Sequence, residues 1–423
     1  MANITHKLKL LVTDKTLRNR ILFVLGAFVV IRLLSAIPIP GVDANQLASF
    51  LANNQFFGLL NVFSGGGLST LSIVMLGVGP YITASIIMQL LTLMVPSLKE
   101  MNQEGGEAGR KKFAQYTRLL AIPLALVQGF SLLAVLSNQG VIVDVSLYVK
   151  LVNLLIITAG SMLMVWIGEL ISEFGIGNGI SLIIFAGIVA AFPGSVSQFL
   201  FTYNAAELPM YILFLFIGLL VIAGVVMVTE AERPIGVTYA RQVRGMSTSS
   251  GVTTYIPLRL NMAGVIPIIF ALSILLLPQI FSNVFAASSH AWLASIAGTL
   301  AKFTDTTLLY GVVYFVLVFA FTYLYTSITF DPKQMSDNLQ KNGAFVPGIR
   351  PGDSTNAYIS NIVSRITLVG GLFLGIIAVL PLIVRNLSGI TTIALGGTAL
   401  LIVVSVVIDL MKKIDAQTSM REY

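Results

Sequence analysis

The sequence predicts an all-α, polytopic membrane protein. Of its 423 residues, 56% are hydrophobic and only 10% are charged, whereas a soluble domain carries about 25% charged residues. Most of the chain therefore has no water to face. Ten apolar segments are long enough to cross the ~30 Å hydrocarbon core of a bilayer. We place them at 20–38, 72–95, 117–137, 149–170, 179–200, 209–229, 261–282, 307–329, 362–384 and 390–411.

The first span follows a basic N-terminal arm, residues 1–20, which contains five Lys and Arg residues between Lys7 and Arg20. A basic segment before an apolar run is also typical of a secretory signal peptide. Here the apolar run is long, contains Arg32, ends in the motif IPIPG and lacks a cleavage site of small residues. We therefore expect this segment to be a retained first span.

Glycines interrupt the apolar stretch that leads into the second span. Gly65, Gly66 and Gly67 break residues 57–71 into pieces too short to cross a bilayer. Backbone groups that are broken out of a helix at membrane depth need protein or water around them, and such breaks commonly line a path or a site. We expect 57–71 to form a short re-entrant or interior helix.

Basic residues give the chain an orientation. With ten spans, both termini lie on one side of the membrane. The N-terminal arm, the loops 96–116, 230–260 and 330–361, the C-terminal tail and the adjoining helix ends hold 21 of the 25 Lys and Arg residues. Cytoplasmic loops carry this excess of positive charge. We therefore expect both termini to be cytoplasmic.

Two of those loops, 230–260 and 330–361, are longer than a connector requires. The first contains Arg241 and Arg244, and the second contains Arg350. Two interpretations stay open. The two loops are either solvated basic loops that only fix the topology, or they form a docking site for a partner with an acidic protein surface or RNA phosphates.

The side chains give little support for enzymatic or metal chemistry. The chain has no cysteine, and its two histidines, His6 and His290, are far apart in the sequence. The glycine-spaced motif GIGNGI lies between two spans without a βαβ pattern, so we expect a helix-to-helix turn rather than a nucleotide loop. Glu169 and Glu173 suit an interface better than a catalytic pair. We expect no catalytic residue, no cofactor and no metal.

Long motifs carry a specific resemblance. IPIPG (37–41), NVFSGGGLS (61–69), PYITASIIMQLL (80–91) and GAFVPGIRPG (343–352) are the clearest, and GEAGRKKFAQYTR, GIGNGIS, NMAGVIP and LTLVGGLFLG add to them. Together they resemble the SecY family, the channel subunits of the bacterial protein-conducting translocon. The resemblance extends in register from the first span to the last.

The resemblance implies ten transmembrane helices in two pseudo-symmetric five-helix halves around a central pore. It assigns 21–200 to the first half and 201–411 to the second, with 412–423 as a cytoplasmic tail. Residues 57–71 match the family's plug, a short helix in the outer funnel of the closed channel. The plug residues carried over are Asn61, Phe63, Ser64, Gly65, Gly66 and Gly67.

The resemblance also implies a constriction of apolar side chains between two funnels, which we call the pore ring. Family members often carry Ile where this chain has Val78, so the ring is slightly looser here or its neighbours fill the gap. By motif position its members are Val78 and Ile82 on span 2, Ile184 on span 5, Ile269 on span 7 and Ile402 on span 10.

Two further sets of residues follow from the same resemblance. Thr83, Gln89 and Asn261 flank spans 2 and 7, which form a lateral gate towards lipid in this family. Their polar groups either bond across the gate or bond to a carbonyl of their own helix, and both alternatives stay open. The docking surface for the motor ATPase SecA or the ribosome is expected at Arg241, Arg244 and Arg350.

The implied function is passage of unfolded secretory polypeptides across the bacterial plasma membrane, with release of transmembrane segments sideways into lipid. The implied partners are the small membrane subunits SecE and SecG, SecA, the ribosome, signal peptides, nascent polypeptides and membrane lipid, without specific DNA binding. A secondary transporter of a small solute is the alternative, since it also has broken helices. It would normally carry more polar side chains at the midplane than this apolar waist. An intramembrane enzyme, the other class considered, would need a cluster of catalytic residues at membrane depth, and none is apparent in the sequence.

Overall fold

Helices make up most of the chain, and they follow its apolar segments. The computed structural model describes residues 14–41, 67–68, 70–103, 105–138, 140–142, 146–201, 208–239, 243–244, 247–248, 253–286, 292, 295–300, 307–388 and 396–419. The helices described there are α1 (Lys15–Ser35), α2 (Gly79–Met94), α3 (Pro96–Gln103), α4 (Gly106–Asn138), α5 (Leu147–Phe174), α6 (Gly179–Phe201), α7 (Leu208–Glu230), α8 (Ile266–Ala286), α9 (Thr307–Thr329), α10 (Pro332–Lys341), α11 (Asp353–Ser388) and α12 (Gly396–Ser419).

Several of these helices are long and apolar enough to cross a membrane. Among the described residues five meet that criterion, and a sixth is counted if α2 and α3, bent by 116° at their junction, form one broken span. The predicted number of ten spans is not confirmed by this criterion, because α6 and α8 contribute only shorter apolar stretches, Gly179–Gly194 and Ile266–Leu275. Outward-facing side chains of α7, such as Leu215 and Phe216, are mostly exposed. Such faces suit hydrocarbon rather than water.

The second predicted span begins later than expected. Helix α2 starts at Gly79, with Pro80 in its first turn, whereas residues 70–78 form turns interrupted by a β-bridge at Ser72. Proline is favoured at this position because the first N–H groups of a helix have no partner within the helix. Gly77 has a φ of 54° and Leu71 a φ of 41°, which is the left-handed region. The apolar run is therefore continuous in sequence but changes from turns to helix at Gly79.

A small antiparallel sheet occupies the two long loops, which corrects the prediction of an all-α chain. Strand β1 (Glu232–Tyr239) pairs with β4 (Thr253–Arg259) on one side and with β5 (Ala344–Phe345) on the other. A separate two-stranded pair joins β2 (Val243–Arg244) to β3 (Ser247–Thr248). Alternation explains β1, because Ile235 and Val237 are buried while their neighbours are more exposed.

The sheet packs on the beginning of α11. Ile235, Val237 and Leu258 form one apolar cluster with Ile359 and Ile362 of that helix. Helix α10 begins beside the sheet, where the Asp331 carboxylate accepts hydrogen bonds from the N–H groups of Lys333 and Gln334 at 2.9 and 3.2 Å. This is an ordinary helix N-cap. We call this part of the molecule the sheet end.

The largest apolar cluster among the described residues lies between the helices. Its buried side chains come from α1, α2, α5, α6, α7, α8, α9, α11 and α12, and we call it the central cluster. A second cluster joins Ile39, Leu68, Leu71 and Met75 to α4 and α5. Helices from the early and late parts of the chain therefore share one interior.

Candidate pore constriction

The five side chains predicted for the pore ring all lie in the central cluster. Each is at most 7% exposed. Val78 is the N-cap of α2, and Ile82 follows one turn later, where its N–H donates to the Val78 carbonyl at 3.0 Å. Ile184, Ile269 and Ile402 come from α6, α8 and α12. Residues far apart in sequence are thus brought into one apolar interior, and their role as a ring stays a prediction.

A tight turn between α5 and α6 places Ile184. The Ser172 hydroxyl accepts a hydrogen bond from the Gly179 N–H at 2.8 Å, and the Asn178 side chain accepts one from Ser181 at 3.2 Å. A Cβ atom at Gly179 would overlap the Gly168 carbonyl oxygen. The glycine-spaced motif is thus a helix-to-helix turn that needs glycine for close approach.

A cavity of about 280 Å³, lined by both polar and apolar residues, adjoins the central cluster towards the sheet end. Its polar lining includes Asn178, Asn261 and Ser405, and its apolar lining includes Leu182 and Val406, which are members of the central cluster. Among the described residues, Asn261 Oδ1 and Ser405 Oγ are buried without a hydrogen-bond partner. A hydrated funnel that narrows onto an apolar seal has this arrangement.

The three residues predicted for the lateral gate bond locally in the described structure. Thr83 donates to the Gly79 carbonyl at 3.1 Å, Gln89 Nε2 donates to Ser85 Oγ at 3.2 Å, and Asn261 Nδ2 donates to the Gly264 carbonyl at 3.2 Å. Among the described residues, none of the three bonds from α2 to α8, although these helices pack together. Of these donor bonds, only that of Thr83 goes to a carbonyl of its own helix, and the role of the three residues in a lateral gate stays a prediction.

Sequence reasoning missed a partner of Thr83. Gln128 Nε2 of α4 donates to Thr83 Oγ1 at 3.3 Å, so α2 is tied to α4 rather than to α8. A lone amide inside the apolar run 119–137 was the signal available in the sequence. A polar side chain at membrane depth needs a partner from a neighbouring helix or from its own backbone.

A second cavity, of about 360 Å³, separates α2 and α4 from α9 and α10 near the sheet end. Gln89 and Arg110 line one side, and Tyr325 and Asp331 line the other. The buried Oε1 atom of Gln89 has no partner among the described residues. This cavity lies between the early and the late helices, and none of the described residues that line it belongs to α8.

Arg350 lies in an exposed turn between β5 and α11. Its carbonyl accepts a hydrogen bond from the Thr355 hydroxyl at 2.9 Å, and Gly348 and Gly352 have φ values of 83° and 99°. The turn is thus fixed by its backbone, and Arg350 forms no ion pair with any described residue. Arg241 lies outside the described residues, and Arg244 lies in β2 with a side chain outside the described set.

The predicted plug falls mostly outside the described residues, which applies to Asn61, Phe63, Ser64, Gly65 and Gly66. Gly67 is described, and its carbonyl accepts a hydrogen bond from the Ser72 N–H at 2.8 Å. The last residues of the predicted plug thus turn directly into the segment before α2.

Comparisons with known proteins agree on one family. A SecY family profile matches residues 72–411. The protein translocase subunit SecY of Thermus thermophilus is 42% identical, over 96% of this chain and 94% of the relative. The subunit of the same name from Mycobacterium bovis is 40% identical, over 96% of both.

Solved structures show the same fold. One described as a protein-conducting channel gives a TM-score of 0.66 at 19% identity, covering 96% of this chain and 94% of that chain. The channel from the canine ribosome–channel complex of the endoplasmic reticulum gives 0.65 at 18%, with the same coverage. From its profile match and its relatives, this chain belongs to the SecY family and is a multi-pass membrane protein.

Proposed function

We propose that this chain forms the protein-conducting channel of a bacterial Sec translocon. The observation that carries the proposal is the burial of Val78, Ile82, Ile184, Ile269 and Ile402 in one apolar cluster beside a cavity that is partly lined by polar residues. Apolar side chains that meet in a water-filled neck favour dewetting, which blocks ions. They offer no fixed hydrogen-bond partner, so the neck accepts polypeptides of any sequence.

The proposed architecture has ten spans in two halves around this neck. The first half would comprise α1, α2, α4, α5 and α6, and the second α7, α8, α9, α11 and α12. Residues 57–71 would be the plug. The packing of α2 and α4 against α8 supports a lateral gate between the halves, through which transmembrane segments leave sideways into lipid.

The proposed orientation places the sheet end in the cytoplasm at a bacterial plasma membrane. The basic residues that support this orientation include Arg110, Lys111, Lys112, Arg233, Arg259, Lys333 and Arg350. SecA or the ribosome would dock there, with signal peptides and nascent polypeptides as cargo. SecE and SecG would complete the channel within the membrane. Energy would come from these partners, because the chain is proposed to have no catalytic activity.

A secondary transporter is the less favoured function. Its substrate and coupling ion would need charged or polar groups at the midplane, whereas the residues proposed to meet at the neck here are all apolar.

Reconstitution tests the proposed function. The chain is placed in lipid vesicles with SecE and SecG, and a secretory precursor is added with SecA and ATP. We expect ATP-dependent protection of the precursor from external protease. Vesicles without this chain are the control. Counterflow of a small solute without SecA or ATP, together with an unprotected precursor, would overturn the proposal.

Charge reversal at Arg350 tests the proposed docking surface. Arg350→Glu is expected to lower the rate of SecA-driven precursor translocation on the order of tenfold, which corresponds to a loss of about 1.4 kcal/mol of docking free energy when an attraction to an acidic partner surface becomes a repulsion. The measurement is the initial rate of protease protection. Lys341→Glu, at the exposed end of α10, is the matched charge reversal. An equal loss in both variants would assign the effect to net charge and not to Arg350.

A further inference from the structure

One face of α5 carries polar and small residues within an apolar helix. Gly160 and Ser161 follow Asn153 by seven and eight positions, which is about two helical turns and places all three on the same side of a helix. Asn153 and Ser161 are each 1% exposed. Buried polar side chains among apolar neighbours are expected to have specific partners, and here the partners lie outside α5.

This face holds two separate chain segments. Asn153 Nδ2 donates to the Pro40 carbonyl at 3.1 Å, in the segment 36–41 that follows α1. Ser161 Oγ donates to the Gly77 carbonyl at 2.8 Å, in the segment 70–78 that precedes α2. Gly160 lets the Ile73 carbonyl oxygen approach so closely that a Cβ atom would overlap it. We call these three residues the α5 seat.

The two seated segments are also bonded to each other. Pro38 and Ser72 form an antiparallel bridge. Flanking it, the Ile39 N–H donates to the Leu71 carbonyl at 2.9 Å, and the Ile73 N–H donates to the Ile37 carbonyl at 3.0 Å. Leu71 is fully buried with a φ of 41°. A non-glycine residue keeps such a conformation only where its surroundings enforce it.

We propose that Asn153, Gly160 and Ser161 are positioning residues that set the depth of Val78 and Ile82 in the pore ring. This inference rests on the proposed function. Ser161 holds the carbonyl of Gly77, and the next residue, Val78, is the N-cap from which α2 starts. The position of Ile82 is fixed relative to Val78 by a hydrogen bond at the start of α2, in which the Ile82 N–H donates to the Val78 carbonyl. The seat on α5 thus anchors the start of α2, and with it two of the five ring residues.

Ser161→Ala tests the seat against a matched variant of the same helix. Thr158→Ala also removes a buried hydroxyl, but one that donates to the Leu154 carbonyl of α5 itself. The measurement is passive ion leak through channels reconstituted without precursor. We expect Ser161→Ala to raise the leak roughly two- to tenfold, the factor that corresponds to one buried hydrogen bond, with Thr158→Ala near wild type. Equal leak in the two variants would contradict the proposal.

The thermal midpoint in detergent separates positioning from general damage. We expect Ser161→Ala and Thr158→Ala to shift the midpoint by similar amounts, so that only the leak distinguishes them. A leak that rises in both variants in proportion to the loss of stability would mean that the hydroxyl has only a structural role.

Gly160→Ala provides a second, independent variant. The added methyl group must push the Ile73 carbonyl away from α5, so its leak should exceed that of Ser161→Ala. Gly218→Ala on α7 is the control, because a Cβ atom there meets nothing within 4 Å. If Gly160→Ala folds and leaks no more than Gly218→Ala, the seat does not set the ring.

A disulfide tests whether the seated segments stay in place during transport. The chain has no cysteine of its own, and Pro38 and Ser72 form a non-hydrogen-bonded pair, whose Cα separation of about 4.5 Å suits a disulfide. We expect the Pro38→Cys, Ser72→Cys variant to translocate precursor equally fast oxidised and reduced. A tenfold slower rate on oxidation would show that the bridge must open, which overturns the proposal.

The two proposals fail in different ways. If wild-type vesicles do not protect a precursor in the presence of SecA and ATP, the proposed function is wrong. The leak comparison needs neither precursor nor ATP, so it decides the role of the α5 seat independently of that result.

Discussion

Replacing Ile184 with serine is expected to make the channel leak ions. The side chain is 1% exposed and lies in the central cluster, where a hydroxyl without a partner costs about 1–3 kcal/mol while dry. Water that enters the constriction can bond to the hydroxyl and relieve that cost. A gain of about 1.4 kcal/mol for the hydrated state would raise its population tenfold. We therefore expect a passive conductance on the order of ten times that of wild type. The measurement is ion flux across vesicles that contain the reconstituted channel.

The neighbouring isoleucine is a closely matched control. Ile183 is also fully buried in the central cluster, but its side chain lies against Gly168 of α5. Ile183→Ser should therefore cost similar stability without raising the conductance. Ile269→Ser and Ile268→Ser repeat the comparison on α8. If the leak follows the loss of stability in all four variants, these residues are ordinary core positions and do not form a ring.

Replacing Gly179 with alanine is expected to destabilise the contact between α5 and α6. A Cβ atom at this position would overlap the Gly168 carbonyl oxygen and lie 3.0 Å from Ile171 Cβ. Backbone on one side and a branched side chain on the other leave little room for relaxation. Overpacking of this kind costs about 1–3 kcal/mol. We expect a lower thermal midpoint in detergent, measured by the loss of monodisperse protein on heating.

The same substitution should also affect the constriction, because α6 carries Ile184 five residues after Gly179. Gly218→Ala is again the open-space control, and it should leave both stability and leak unchanged. A Gly179→Ala protein with the wild-type midpoint would mean that the two helices can separate without cost, contrary to the close contact described for this turn.

Sequence motifs predicted the ring residues, but they did not predict the contacts that hold these residues in place. Val78, Ile184 and Ile402 were assigned by resemblance to the SecY family, and the structure places them in one apolar cluster. Gln128, Asn153 and Ser161 were not singled out, although each is a polar residue within an apolar run. Their partners are 45, 113 and 84 positions away in sequence. Such bonds depend on which helices become neighbours, and motifs and hydrophobic periodicity do not show that.

The start of α2 and the strands of the long loops were also not predicted, because the composition of these segments gives no clear secondary-structure signal. Residues 72–95 form one predominantly apolar stretch whose few polar residues do not repeat with a clear helical or strand period. Only the structure separates the turns before Gly79 from the helix after it. The strands at Glu232–Tyr239 and Thr253–Arg259 were overlooked because they lie in segments rich in turn residues. Their register depends on packing against α11.

The sequence by itself determined the class of this protein, a helical membrane protein, and its resemblance to the SecY family. It did so because hydrocarbon requires long apolar helices with satisfied backbone groups, and because the family's motifs are long. The tertiary structure alone decided that α2 begins at Gly79, that Thr83 bonds to α4, and that α5 seats the segment before Val78. Those features arise from hydrogen bonds and close contacts between distant segments, which form only when the helices pack.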